Sequence, residues 1–213
     1  IISPAAFDGE KLPENATADQ PPTFDLFTIG HSNHPIDRFL ALLNGAGVTA
    51  IVDVRSQPSS RRYPWFSAGR LREALAGENI SYEPMGAALG GRPRDPGLYR
   101  DGVADYEAMA RTPEFQAGID RVTAGLQRFR LCLMCAEREP LECHRCLLVA
   151  PALAARGLAL GHILADGSIV PQATIEERLL ELAGRDDLFS DPAARLAEAY
   201  RRRARTVAFR VRA

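Results

Sequence analysis

From Phe24 onward, short β-branched apolar runs alternate with segments whose apolar residues recur every three or four positions, the pattern of a parallel sheet with crossover helices. Strands are predicted at Phe24 to Ile29, Thr49 to Val54, Ile80 to Glu83, Leu131 to Cys135 and Leu158 to Leu164. The second run is nearly all apolar, as expected of a strand buried on both faces. Between the first two, Pro35 opens a helix whose Ile36, Phe39, Leu40 and Leu43 share one face, and Gly45 and Gly47 stop it. Ser67 is placed to cap a helix carrying Leu71 and Leu75. Thr112-Pro113-Glu114 starts a helix with Phe115, Ile119, Val122 and Leu126 on one side, and a further helix runs from about Cys143 to Ala155. The expected fold class is α/β: a single domain with a mainly parallel sheet flanked by helices, plus a C-terminal helical extension.

A chain of 213 residues that is 46% apolar supports one well-buried core. Residues 1–22, with Pro4, Pro13, Pro21 and Pro22 and neither a basic start nor an apolar stretch, read as a disordered leader rather than a signal peptide. The α/β domain is expected over 23–172 and a basic, helical extension over 173–213, with amphipathic helices near 174–183 and 191–206. Met85 to Asp105 holds Gly86, Gly90, Gly91, Pro93, Pro96 and Gly97 without periodicity, so a long functional loop is expected there. The longest apolar run, Cys146 to Ala155, is broken by Pro151 and falls far short of the roughly 20 residues that span a bilayer, so no membrane segment is expected. Lys and Arg (26) nearly cancel Asp and Glu (27), which leaves the choice of partner to local charge. Four cysteines clustered at 132, 135, 143 and 146 point to reduced thiols in a cytoplasmic setting rather than a disulfide framework.

In open α/β sheets, ligands bind outside the carboxyl ends of the strands. His31 and Ser32 follow the first strand, Asp53 and Arg55 finish the second, Gly90, Gly91 and Arg92 lie in the loop after the third, and Cys135 and Glu137 end the fourth; His162, on the fifth, would join them. His31 is a candidate general base or a loop-fixing hydrogen-bonder, and Asp53 a candidate acid or the partner of Arg55, two residues along the same strand face. Cys135 and Cys143 are candidate nucleophiles: Cys143 opens a helix beside His144 and Arg145, all of which favour the thiolate, although Glu137, Glu139 and Glu142 oppose it. Cys132 and Cys146 read as core residues. Zinc on Cys135, Cys143, His144 and His31 is an alternative, but Cys-x7-Cys-His is no standard knuckle spacing; no metal ligand is assigned and no cofactor is named. Arg55, Arg61, Arg92 and Arg145 can form an anion site or an ion-pair network, and Tyr63, Trp65, Phe66, Tyr82 and Tyr99 can stack a base or roof the core. Ser32, Tyr82, Gly90, Gly91, Glu137 and His144 complete the candidate ligand-binding set.

Thr28-Ile29-Gly30-His31-Ser32, Asp53-Val54-Arg55 with Pro58 and Ser59, Tyr82 with Leu89-Gly90-Gly91, Tyr106, Cys135-Ala136-Glu137, Cys143-His144-Arg145 and His162-Ile163-Leu164 before Asp166-Gly167 together resemble the domain-of-unknown-function family numbered 488, from about Phe24 to Pro171. The resemblance implies a small α/β domain and this set of positions; it implies no reaction. Two functions stand open at this point. One is an enzyme, a hydrolase or transferase, acting on a small anionic or nucleotide-like ligand at the carboxyl edge of the sheet. The other is a nucleic-acid-binding or -processing module using Arg61 and Arg62 with the tail Arg201, Arg202, Arg203 and Arg205. The sequence carries no reading of oligomeric state.

Overall fold

The computed structural model describes residues 23–184 and 191–211. In chain order these form β1 (Leu26–Gly30), α1 (Ile36–Gly45), β2 (Ala50–Asp53), α2 (Ala68–Gly77), β3 (Ser81–Pro84), α3 (Gly86–Leu89), β4 (Tyr99–Arg100), β5 (Val103–Ala104), α4 (Tyr106–Ala110), α5 (Pro113–Gly125) and β6 (Leu131–Cys135). A π-helical turn over Arg145–Val149 runs into α6 (Ala150–Ala154), followed by β7 (Leu160–Ile163), β8 (Ile169–Pro171), α7 (Gln172–Ala183) and α8 (Pro192–Val207).

Six strands form one sheet in the order β3-β2-β6-β1-β7-β8, parallel except where β8 turns back on β7. Because side chains alternate across a strand, Phe27, Ile29, Ile51, Cys132 and Met134 face α1 and α2, meeting Phe39, Leu43, Leu71 and Leu75. Leu26, Val52, Leu131, Leu133 and Cys135 face the other side, where Ile119 of α5, Leu153 of α6 and Leu179 of α7 close the second core. Both faces are covered, which explains the uninterrupted apolar runs of β1, β2 and β6. The neighbours β1 and β6 send their following helices to opposite faces, so the loops at their carboxyl ends part and open a crevice.

The α/β class and the mainly parallel sheet are as expected, with element ends shifted by a residue or two. Three details differ. Ser67 stands at the N-cap of α2 as expected, but its hydroxyl makes no capping bond and instead exchanges hydrogen bonds with the backbone of Ser60 (3.2 and 3.4 Å). Met85 to Asp105 is not irregular throughout: it folds into α3, a 3-10 turn at Pro96–Leu98 and the β4–β5 hairpin, elements too short to leave a period. The Asp166-Gly167 turn is followed by an antiparallel edge strand, β8, absent from the expected set because three residues carry no alternation. The C-terminal helices pack on each other and on the sheet, burying Ile175, Leu179 and Ala199, and Phe209 and Val211 hydrogen-bond Ala104 and Gly102 at the β4–β5 hairpin (2.9 Å each). The expected leader, residues 1–22, lies outside the described residues. No helix among the described residues is long and apolar enough to cross a membrane.

His162 shows how a buried polar group ties these layers together. Its Nδ1 accepts from the Thr28 hydroxyl (2.8 Å) and its Nε2 donates to Gln172 Oε1 (2.6 Å), while Gln172 reaches Tyr200 of α8 (2.6 Å). Burial, with the charge of Arg145 adding to it, lowers its pKa to about 4 from 6.5. On acidification the unfolded chain therefore binds the proton first. The contribution is complete above pH 6.5 and is lost as the pH falls towards 4. At about 1.4 kcal/mol per pH unit, the loss reaches ~3 kcal/mol. The stability gap between wild type and His162→Gln, from urea unfolding, is expected to narrow between pH 7 and 4.5; a gap independent of pH would refute the assignment.

Candidate functional site

The carboxyl ends of β1, β6 and β2, side by side in the sheet, open into a cleft of about 780 Å³. Its walls are the loops that follow these strands, with Arg92 from the loop after α3 and Val207 and Phe209 from the C-terminal segment. Of the residues singled out from sequence, His31, Ser32, Arg55, Gly91 and Arg92 line it, and Cys135, Glu137 and His144 form its floor.

The β2 end is occupied by an ion pair. Arg55 grips Asp53 with both Nε (2.9 Å) and Nη2 (2.6 Å), and neither side chain is more than 5% exposed. Tyr82 donates to Asp53 (2.7 Å), and Arg55 Nη1 donates to the Phe66 carbonyl (2.8 Å) and to His31 Nε2 (3.2 Å). His31 completes the array by donating from Nδ1 to the Ser32 carbonyl (2.9 Å) and stacking on Phe66 at 4.2 Å. Burial, reinforced by the Arg55 charge, lowers its pKa to about 4, so the ring is neutral at pH 7 with its basic nitrogen held by an arginine N–H. Asp53 and His31 are therefore engaged with Arg55, a geometry that fits loop-fixing better than proton transfer.

The floor has a different chemistry. Cys135 ends β6; Cys143 and His144 follow the 3-10 turn at Pro140–Glu142. Glu137 lies on an exposed stretch of the loop but turns its carboxylate inward, where Oε2 stands 3.0 Å from both Cys135 Sγ and Cys143 Sγ. His144 Nδ1 stands 3.7 Å from Cys135 Sγ and 3.9 Å from Cys143 Sγ, and its Nε2 donates to the Val54 carbonyl (2.9 Å). Burial pushes the Cys135 thiol well up, and its neighbours Cys143 and Glu137 add to the rise. Burial opposes charge on Cys143 too, but the hydrogen bond with Cys135 and the charges of Arg145 and His144 outweigh it and hold this thiol well below its ordinary range. Of the two thiols, Cys143 is thus the one that ionises more readily.

Close backbone approach fixes the cluster. A Cβ on Gly30 would overlap the Glu137 carbonyl, and one on Gly91 would stand 2.8 Å from the His144 ring. Arg145, fully buried behind the floor, donates to the carbonyls of Glu137 (2.6 Å) and Arg138 (3.1 Å), while its Nε has no partner. It does not line the cleft, and its donors point into the loop, an arrangement nearer to the loop-tying alternative than to the anion site.

Other candidates lie elsewhere. Arg61 is exposed and outside the cleft lining, whereas its neighbour Arg62 lines it. Gly90 packs against Gly86 and Ser56, and Tyr82 gives its hydroxyl to Asp53 and its ring face to Arg72. His162 sits within the sheet, away from the crevice. Cys132 and Cys146 are core residues; burial pushes both thiols up, Cys146 to about 12. Three arginines of the tail are engaged by carboxylates: Arg201 and Arg202 by Glu198, and Arg203 by Glu142 at 3.7 Å. Arg138, Tyr106 and Phe209 line the cleft without having been singled out as ligand-binding; the first offered a signal, a basic residue directly after Glu137.

A family profile described as domain of unknown function DUF488 matches residues 35–151, more than half of the 213-residue chain. The chain belongs to this family. The DUF488 match holds the whole floor, Cys135 to Arg145, with Asp53, Arg55 and Gly91, and lies inside the stretch that carries the resemblance in sequence; His31 and the C-terminal wall fall outside it. No curated protein and no solved structure matched the chain.

Proposed function

We propose that this DUF488 protein is an enzyme whose cleft binds a small anion, or the anionic part of a nucleotide-like molecule, over a reactive centre made of two thiols, an imidazole and a carboxylate. The observation that carries the reading is the set of cations above that floor. Arg62, Arg92 and Arg138 line the cleft, and among the described residues none has a carboxylate within ion-pairing distance. Arg62 lies over the Tyr63 ring (5.6 Å) and Arg92 over Phe209 (4.7 Å), placements that hold a guanidinium without neutralising it. Of the cleft's two acids, Glu137 faces the thiols and Glu142 pairs with Arg203. The cleft is thus a site of positive potential with reactive side chains at its base. The nucleic-acid alternative is weakened by the carboxylates that engage the tail.

Isothermal titration with inorganic phosphate and a panel of nucleoside mono- and diphosphates tests the reading. At least one should bind saturably, and Arg62→Ala, Arg92→Ala and Arg138→Ala should each weaken it about tenfold, the ~1.4 kcal/mol of one charge-assisted hydrogen bond. Binding that survives all three substitutions, or its absence across the panel, would sink the proposal.

A further inference from the structure

We infer that Cys135, Glu137, Cys143 and His144 form a binding site for a zinc ion. Their four donor atoms, two Sγ, one carboxylate oxygen and Nδ1, all lie within 4.8 Å of one another. Tetrahedral zinc, with bonds of about 2.0–2.3 Å, sets its donors roughly 3.5–3.8 Å apart. The sulfur-to-Nδ1 distances of 3.7 and 3.9 Å fall within about 0.1 Å of this range, and the 3.0 Å sulfur-to-carboxylate contacts would have to lengthen by roughly half an ångström.

Two further observations fit a metal at this position. His144 donates its Nε2–H to the Val54 carbonyl, which makes Nδ1, 3.7 and 3.9 Å from the two sulfurs, the ring nitrogen available to a metal once any proton on it is released. That is the arrangement by which metal-bound histidines are oriented. Arg145, wholly buried, donates to two backbone carbonyls and lies beside the Cys143 sulfur, and no carboxylate pairs with it among the described residues. A buried cation of this kind requires a negative counterpart. Two thiolates, one carboxylate and Zn²⁺ sum to one negative charge, which Arg145 balances. On binding, the protons carried by the thiols, by His144 Nδ1 and by Glu137 pass to solvent as zinc exchanges its waters for two sulfurs, one nitrogen and one oxygen, with no change of oxidation state.

Cys135, Glu137 and His144 line the cleft; because four protein donors fill a tetrahedral shell, an anion there would reach the ion only by displacing the Glu137 carboxylate. That contact rests on the anion-binding reading; the site itself does not, and phosphate titration and metal content fail separately.

The full chain, expressed in zinc-supplemented medium and purified with reductant but without chelator, is to be assayed for metal by elemental analysis. One zinc per chain is expected in the wild type and in Cys132→Ala, whose thiol faces the opposite side of the sheet, with at least about a tenfold loss in Cys135→Ser and Cys143→Ser. Because these serine variants can fail through misfolding, chelator-stripped wild type is also titrated with cobalt(II). Thiolate-to-cobalt charge transfer with tetrahedral ligand-field bands supports the site. Folded wild type that neither retains metal nor gives these bands overturns it, as does zinc-supplemented protein isolated with a Cys135–Cys143 disulfide.

Discussion

Asp53→Ala is expected to destabilise the protein by about 3–5 kcal/mol, the loss seen when one partner of a buried ion pair is removed and the other charge stays inside. Asp53 accepts from Arg55 Nε, Arg55 Nη2, the Arg55 backbone N–H (3.0 Å) and the Tyr82 hydroxyl, so truncation leaves four donors without an acceptor. For a chain of this size, such a loss lowers the melting temperature by roughly 10 °C. Asp53→Leu combined with Arg55→Met, which removes both charges and fills the space, is expected to recover part of the stability. Urea unfolding of the three proteins decides the matter. A single-variant loss below about 1 kcal/mol, the scale of a surface pair, would mean that the carboxylate is dispensable for folding and would return Asp53 to the list of catalytic acids.

The α/β class was legible because each central strand is buried on both faces and so spells out as a continuous apolar run, while α1 and α5 carry a clear helical period. α3, β4, β5 and β8 were not, because two to four residues without a continuous apolar run express neither period; they form through backbone hydrogen bonds a few positions apart, as in the Tyr99–Ala104 and Ile163–Ile169 pairings. The π-helical turn at Arg145–Val149 was read as ordinary helix, since apolar composition does not encode the backbone register by which Arg145 reaches back to the loop.

At the site, the loops that would converge were legible from strand order, because a parallel sheet delivers successive carboxyl ends to one edge. What each side chain would touch was not. Asp53 and Arg55 share a strand face, and this local geometry allowed their pairing to be weighed in advance. The inward turn of Glu137 depends on Gly30 letting the loop approach β1, a contact between residues over a hundred positions apart. The C-terminal wall, Val207 and Phe209, is likewise set by docking of the last segment on the β4–β5 hairpin.

That approach makes Arg145 the second residue whose loss should be severe. Its guanidinium holds the carbonyls of Glu137 and Arg138 from beneath, in a place with no accessible surface for water to substitute. Arg145→Ala strips both carbonyls of a charged donor, at about 1–3 kcal/mol each, and adds a cavity, so a loss of at least ~3 kcal/mol is expected. Arg145→Lys keeps the charge but not the two-pronged fork, so it should satisfy at most one carbonyl well and recover less than half of that loss. The two substitutions separate charge from geometry: if lysine restored full stability, the position would need only a cation. Loosening should also be local. Trypsin should cut after Arg138 at a urea concentration where the wild type resists, since the loop between β6 and the 3-10 turn loses the anchor that presses it against Gly30. Equal resistance in both proteins would show that packing of Gly30 and the thiol cluster holds the loop without the arginine.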